Sequence, residues 1–189
     1  MPLQLSDKVR ALGDQAQREL VDEFSRIDTI AQENTQRVLA AFQDHRVADS
    51  YFAGTTGYGY DDLGRDKLDE IYADLFGTEA ALVRIQFVNG THAIASALFG
   101  ALKSGDVLVS AVGAPYDTLL GVIGTAEKGH GSLKDYGVEY RQVELVDDAP
   151  DLEGIARMAA NPKVKAVLIQ RSKGYSTRDS LSVAEIGEM

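Results

Sequence analysis

Cysteine is absent from all 189 residues. Its absence removes disulfides, thiolate metal sites and cysteine nucleophiles together, and it is compatible with a reducing cytoplasm, the expected location. No apolar run reaches the length of a membrane span, and Met1 to Arg26 carries charge of both signs in place of a signal peptide's apolar core. Nor is there a stripe of Lys and Arg interleaved with aromatics, and the formal net charge of -10 opposes non-specific contact with nucleic acid. Neither nucleic acid nor membrane is an expected partner. His45, His92 and His130 lack metal-ligand spacing, and Ser172 has no elbow glycines around it, so neither a metal centre nor a hydrolase nucleophile is indicated. What is present is an apolar content of 44%, enough at this length for a sizeable core in one domain, with room for a small appendage.

In chain order, Val9, Leu12, Ala16, Leu20 and Phe24 recur at three- and four-residue steps behind a cap at Ser6. This spacing predicts an amphipathic helix from about Asp7 to Phe24. A second helix follows, with Ile30, Val38, Ala41 and Phe42 as its apolar positions. The polar remainder of both suggests a helical arm, residues 1–46, packed on a larger body or on a partner subunit. Residues 47–64 then read as a long loop rich in glycine and tyrosine, including Tyr58, Gly59 and Tyr60. Loops of this kind inside compact domains are commonly functional, and tyrosines can both hydrogen-bond and stack. They lack a dinucleotide fingerprint, since Asp62 stands where the third glycine would fall and no strand precedes them. Asp61 and Asp62 could take a metal or simply begin a helix. Leu68, Ile71, Tyr72, Leu75 and Phe76 form a helix stripe closed by Gly77.

Next comes the stretch around which the chain is organised. An apolar run, residues 82–88, stops at Asn89-Gly90-Thr91-His92 and turns directly into Ala93-Ile94-Ala95-Ser96-Ala97-Leu98-Phe99. This predicts strand, tight turn, helix. Such a turn leaves the first helical N–H groups and the positive end of the helix dipole aimed beyond the strand, a seat suited to a phosphate. An ordinary strand-to-helix turn would read the same way. The order then repeats: strand Val107 to Val112, a loop through Pro115-Tyr116-Asp117, a short helix around Leu119 to Ile123, and strand Val138 to Leu145. Asp147-Asp148 reads as a helix cap, Pro150 as a helix start, and a helix bearing Leu152, Ile155, Ala156 and Ala159 precedes the strand Val164 to Gln170. Alternating strands and helices imply a mostly parallel, doubly wound sheet, in which ligands collect beyond the carboxyl ends of the strands. The loops Asn89 to His92, Gly113 to Thr118 and Arg171 to Ser180 occupy that end. Finally, Ser182-Val183-Ala184-Glu185 is a capping box with Leu181 and Ile186 as its staple, announcing a helix close to Met189. That placement suggests the front part of a longer protein.

The segment from Gly57 through Thr118 resembles pyridoxal-phosphate enzymes of fold type I, in particular the cystathionine and methionine lyase group, and three runs, Thr55 to Arg65, Val88 to Ile94 and Ile169 to Arg178, sharpen the likeness. More closely they resemble the bacterial aluminium-resistance family, described as cystathionine beta-lyase-like or methionine gamma-lyase-like. The likeness covers nearly the whole chain. It implies a three-layer, mostly parallel sheet: residues 47–189 would be the first part of the fold type I large domain, with the rest beyond Met189. The implied cofactor is pyridoxal 5'-phosphate. By resemblance the turn Gly90, Thr91 and His92 holds the cofactor phosphate through backbone amides, and Tyr116 stacks on the pyridine ring. Tyr60 and Tyr58 fall where the lyases carry a Tyr-Ser-Arg-Tyr-Gly-Asn-Pro segment reaching the phosphate of a neighbouring subunit, with Gly59 at the position of its Arg. Arg171 and Ser172, with Lys173, lie where a strand delivers residues to the ring edge or substrate.

The resemblance also implies elimination of a sulfur leaving group from a small amino-acid substrate by a homodimer or homotetramer with shared active sites. The Schiff-base lysine and the aspartate paired with the pyridine nitrogen are expected beyond Met189, which leaves Lys173 a site-edge or surface lysine and the piece inactive alone. A different reading of the same residues is a non-catalytic phosphate- or nucleotide-binding α/β module complete at this length.

Overall fold

The computed structural model describes residues 4–58, 60, 62–126 and 130–189. The chain divides into two compact units, Met1–Ile85 and Gln86–Met189. In the first, α1 (Asp7–Glu19) is capped by Ser6, whose hydroxyl accepts the Val9 amide at 3.4 Å. The expected end at Phe24 is not observed. A local distortion at Leu20 (φ -103, ψ 5) separates α1 from α2 (Val21–Asp44), yet the Leu20 amide still reaches Ala16 O and the Phe24 amide Leu20 O. Neither glycine nor proline stands at that point, so the break is made by the Leu20 backbone and not by a helix-breaking residue type. The apolar stripe predicted on these helices is present but open to solvent, with Val9, Leu12, Phe24 and Ile30 all exposed.

The expected loop over residues 47–64 contains a short helical turn near its start and gives way to helix at Leu63. A 3-10 turn, Asp49–Phe52, leads towards α3 (Leu63–Phe76). Asp62 begins α3: its carboxylate accepts the Arg65 amide at 3.3 Å and pairs with the Arg65 guanidinium at 2.8 Å. A Cβ added at Gly64 would lie 2.2 Å from Tyr51 O, so only glycine lets this first turn approach the 3-10 turn. Gly59 and Asp61 lie outside the described residues. Ile71 on α3 and Ala41 on α2 are buried, and Gly77, left-handed at φ 62, closes α3 as its sequence predicts.

The predicted strand over residues 82–88 is not formed. A strand exists through its ladder, and β-branched composition supplies propensity without supplying a partner. Here a carboxylate substitutes for one: Asp69 Oδ1 accepts the Val83 amide at 2.8 Å and the Arg84 Nη1 at 2.7 Å. Ile85 and Val88 stay 93% and 80% exposed.

In the second unit a sheet of three parallel strands has the order β2-β1-β3, with β1 Val107–Ser110, β2 Glu139–Gln142 and β3 Val164–Leu168. Each is shorter than the apolar run that predicts it. Leu108 pairs with Tyr140 on one side and Ala166 on the other. Alternation then assigns the faces. Leu108 packs with Leu98 and Leu102 around α4 (Gly90–Ala101) and with Leu119 and Ile123 of α5 (Asp117–Ile123). Val107 and Val109 pack on the opposite face with Ile155 of α6 (Leu152–Ala159) and with Leu181. Helices thus cover both faces of a parallel sheet, a three-layer α/β arrangement. Asp151, not Asp147-Asp148, caps α6, accepting the Gly154 amide at 2.9 Å. Asp147 and Asp148 are both left-handed (φ 50 and 62) and form the tight turn between Val146 and Ala149, a conformation that aspartate tolerates better than most residues. The capping box forms as read: Ser182 Oγ accepts the Glu185 amide, Glu185 accepts the Ser182 amide, and α7 (Val183–Glu188) follows.

Leu108→Ala removes a fully buried side chain from the middle of the sheet and is expected to cost about 2–5 kcal/mol, read from the shift in urea midpoint. Burial pushes the Asp69 carboxyl up, but the Val83 amide and Arg84 guanidinium outweigh burial and hold it below its ordinary range. Its stabilising contribution is present above the ordinary carboxylate value and is lost as pH falls through the lowered one. Wild type should therefore lose stability on acidification more steeply than Asp69→Asn, in denaturant titrations repeated across the acid range.

Candidate functional site

Helix α4 begins beside the carboxyl end of the sheet. Asn89, extended at φ -160 and ψ 175, is its cap: Oδ1 accepts the His92 amide at 2.9 Å and Asn89 O accepts the Ala93 amide at 3.1 Å. The amide of His92, expected to serve a phosphate, is engaged by this cap. The amides of Gly90 and Thr91 make no hydrogen bond to the other described residues. They point out of the positive end of a twelve-residue helix. The His92 ring turns back along the chain: Nδ1 accepts the Val88 amide at 3.3 Å, which leaves the ring proton on Nε2, and Phe87 meets the ring edge-on at 5.6 Å.

Strand β1 delivers the second loop. At its last residue, Ser110 Oγ donates to Gly113 O at 2.6 Å, and Gly113 takes the left-handed φ of 76 that turns the chain towards α5. Tyr116 immediately precedes α5 and Thr118 lies in its first turn. The hydroxyls of Thr118 and Thr91 meet at 2.9 Å and tie the start of α5 to the start of α4. The Tyr116 amide donates to Gln170 Oε1 at 2.7 Å, its hydroxyl meets that of Tyr175 at 2.9 Å, and the two rings lie 5.6 Å apart at 32°. Hydrogen bonding to Tyr175, that phenol's own charge and the neighbouring Asp117 push the Tyr116 phenol above its ordinary value.

The third loop follows β3 and is held by its own carbonyls. Gln170 Nε2 donates to Ser172 O at 3.2 Å, the Leu181 amide to Arg171 O at 3.0 Å and the Ser176 amide to Lys173 O at 3.0 Å. Arg178, only 8% exposed, donates from Nη2 to Ser172 O at 3.0 Å and from Nη1 to Asp179 O at 2.7 Å. The side chains of Arg171, Ser172 and Lys173 are exposed.

All three loops predicted to gather beyond the strand ends thus carry groups that meet there, Thr91 with Thr118, and Tyr116 with Gln170 and Tyr175. Arg171 and Ser172 contribute carbonyls to the loop's framework. Tyr58 and Tyr60 belong to the first unit, where both are strongly exposed. Sequence reasoning did not single out Thr118, Gln170 or Tyr175. The one usable signal was position, because Gln170 ends an apolar run and Thr118 ends the loop Gly113 to Thr118.

A profile of the methionine gamma-lyase family matches residues 9–189. The chain belongs to this family. It is 50% identical over 165 residues to the uncharacterized protein YnbB of Bacillus subtilis (strain 168), covering 86% of this chain and 39% of that one. A crystal structure from Clostridium acetobutylicum, named as a candidate cystathionine beta-lyase involved in aluminum resistance, is 45% identical with a TM-score of 0.92 over 97% of this chain and 44% of that one. The carbon-sulfur lyase involved in aluminum resistance from Clostridium novyi NT is 43% identical with a TM-score of 0.89 over 96% and 44%. The chain spans less than half the length of these relatives. Among the described residues of this methionine gamma-lyase family member, no helix is long and apolar enough to cross a membrane.

In this family member Asn89→Ala removes the α4 cap and should cost about 1 kcal/mol, read as a lowered urea midpoint. Asn89→Ser, which can still cap the helix, should recover most of that loss.

Proposed function

We propose that the chain is the amino-terminal portion of a pyridoxal-phosphate-dependent carbon–sulfur lyase-like enzyme acting on sulfur-containing amino acids, with its large domain of fold type I. The observation that carries this reading is the cluster at the sheet's carboxyl end. Two unspent amides, Gly90 and Thr91, and two hydroxyls, Thr91 and Thr118, lie at a helix N-terminus, close to an aromatic ring that is 38% exposed. Amides, hydroxyls and the positive helix end are the donor chemistry of a phosphate seat. The Tyr116 ring offers a face to a heteroaromatic ring. The residues present therefore fit the cofactor that the family implies.

When bound, pyridoxal phosphate supplies the electron sink for a carbanion at the substrate α-carbon. The chain's own residues bind and orient. Gly90 and Thr91 donate to the phosphate from the backbone, and the Thr91–Thr118 pair can turn one hydroxyl proton outward to join them. Tyr116 holds the ring plane. Arg171 and Ser172, exposed past the end of β3, are available to the ring edge or the substrate. Tyr58 and Tyr60 are assigned to the phosphate of a neighbouring subunit in a homodimer or homotetramer, with residues 1–46 as an arm. Lys173, exposed and engaged through its carbonyl, takes no Schiff-base role. That lysine and its companion aspartate are assigned to the part of the relatives' length not spanned here, so the piece is inactive alone. A cytoplasmic location follows from the same reading.

The test uses the full-length enzyme. It should carry a pyridoxal absorbance band that borohydride fixes to the protein, and should release thiol from a sulfur amino acid. Thr91→Val combined with Thr118→Val should weaken cofactor binding about tenfold or more while leaving the fold intact by circular dichroism. A full-length protein that takes up no pyridoxal phosphate but retains a nucleotide would overturn this function in favour of a simple binding module.

A further inference from the structure

The strongest unassigned feature is Tyr175, a large aromatic side chain left 83% exposed on the loop after β3. Its hydroxyl meets the Tyr116 hydroxyl at 2.9 Å, and its ring lies at 5.6 Å and 32° from that of Tyr116. Two further contacts converge on the same residue. Gln170 Oε1 holds the Tyr116 amide at 2.7 Å, while Gln170 Nε2 donates to Ser172 O, so one amide side chain fastens Tyr116 to the loop that carries Tyr175. Gly174, left-handed at φ 58, runs along the edge of the Tyr116 ring, where an added Cβ would stand 3.7 Å from Cδ2. Tyr116 is therefore held at its backbone by Gln170 and at its phenol by Tyr175, with Gly174 beside its ring.

We propose that Tyr175 is a positioning residue that, together with Gln170, fixes the plane of the Tyr116 ring for stacking on the bound cofactor. The proposal rests on the reading of Tyr116 as the cofactor-stacking residue. A phenylalanine in place of Tyr116 could still stack, but nothing would fix its rotation. A tyrosine whose hydroxyl is tethered can hold one ring angle, and ring angle decides how much face a planar ligand meets. Buried side chains are locked by packing, whereas a ring open to solvent on one side needs a tether of another kind. The phenol–phenol bond and the Gln170 amide supply it. The stretch Arg171 to Leu181 closes on itself through Arg178 and the Leu181 amide, so Tyr175 is presented from a braced loop.

Two measurements on the full-length enzyme test this. In the first, with no cofactor added, the ionisation of Tyr116 is followed by NMR of ring-labelled tyrosine, its signal assigned by its loss in Tyr116→Phe. Tyr175→Phe should lower the Tyr116 midpoint towards the ordinary phenol value, and an unchanged midpoint overturns the tether. In the second, pyridoxal phosphate affinity is measured in a double-mutant cycle. Tyr175→Phe should weaken binding about three- to tenfold in the wild-type background and have no effect in Tyr116→Phe, since the lost hydrogen bond is the same one. An equal loss in both backgrounds, or none in either, overturns the positioning role. Tyr116→Ala separates the two ideas: if it leaves cofactor affinity unchanged, the stacking reading itself fails, whatever the titration shows.

Discussion

Four consecutive residues, Val107 to Ser110, are shut off from solvent because β1 is paired on both edges and covered on both faces. Each of the groups at the site is placed by reference to this strand. Its end launches the loop that carries Tyr116, its partner β3 ends at the loop that answers with Gln170 and Tyr175, and the helix packed on its Leu108 face begins at Gly90. A parallel sheet concentrates loops of this kind at one end because each crossover returns the chain to the same side. The chemistry is thus assembled from three separate stretches of sequence by one buried strand.

How much of this could be read beforehand follows from what each feature depends on. The caps at Ser6, Asp62 and Ser182 and the helix stop at Gly77 are local. They involve side chains and backbone a few residues apart, so spacing reveals them. The parallel α/β order is also legible, since alternation of apolar runs and helical stripes survives errors of two or three residues at each end. The strand at residues 82–88 was misread for the opposite reason. Its formation depends on a partner elsewhere, and the residue that engages its backbone, Asp69, carries no mark of that role in sequence. Asp147 and Asp148 were misread because the same residue type serves caps and left-handed turns, and only the hydrogen-bonded pair Val146 and Ala149 decides between them.

At the site, the turn at Gly90 and Thr91 and the ring of Tyr116 were visible through motif and resemblance. Their partners were not. Thr118, Gln170 and Tyr175 act through single hydrogen bonds across 27, 54 and 59 residues of chain, and no periodicity encodes such distances. The cap bond to the His92 amide is hidden in the sequence for the same reason. A cap is inferred as a residue type, but which amide it occupies is settled by geometry, and here Asn89 takes the third donor and leaves the first two. The free donors at this helix start are therefore fewer than the motif suggests, and the Thr91–Thr118 hydroxyl pair stands beside them.

The uncovered segment that ends at Val88 also bears on how this polypeptide behaves in a tube. It forms no strand, but it presents Leu82, Ile85 and Val88 to solvent, and exposed apolar side chains of this kind favour association between chains. The formal charge of -10 offers repulsion against such association, and repulsion of that kind is screened by salt. Colloidal stability of the isolated polypeptide should accordingly be governed by ionic strength, with dilute buffers keeping it dispersed and concentrated ones driving it out of solution.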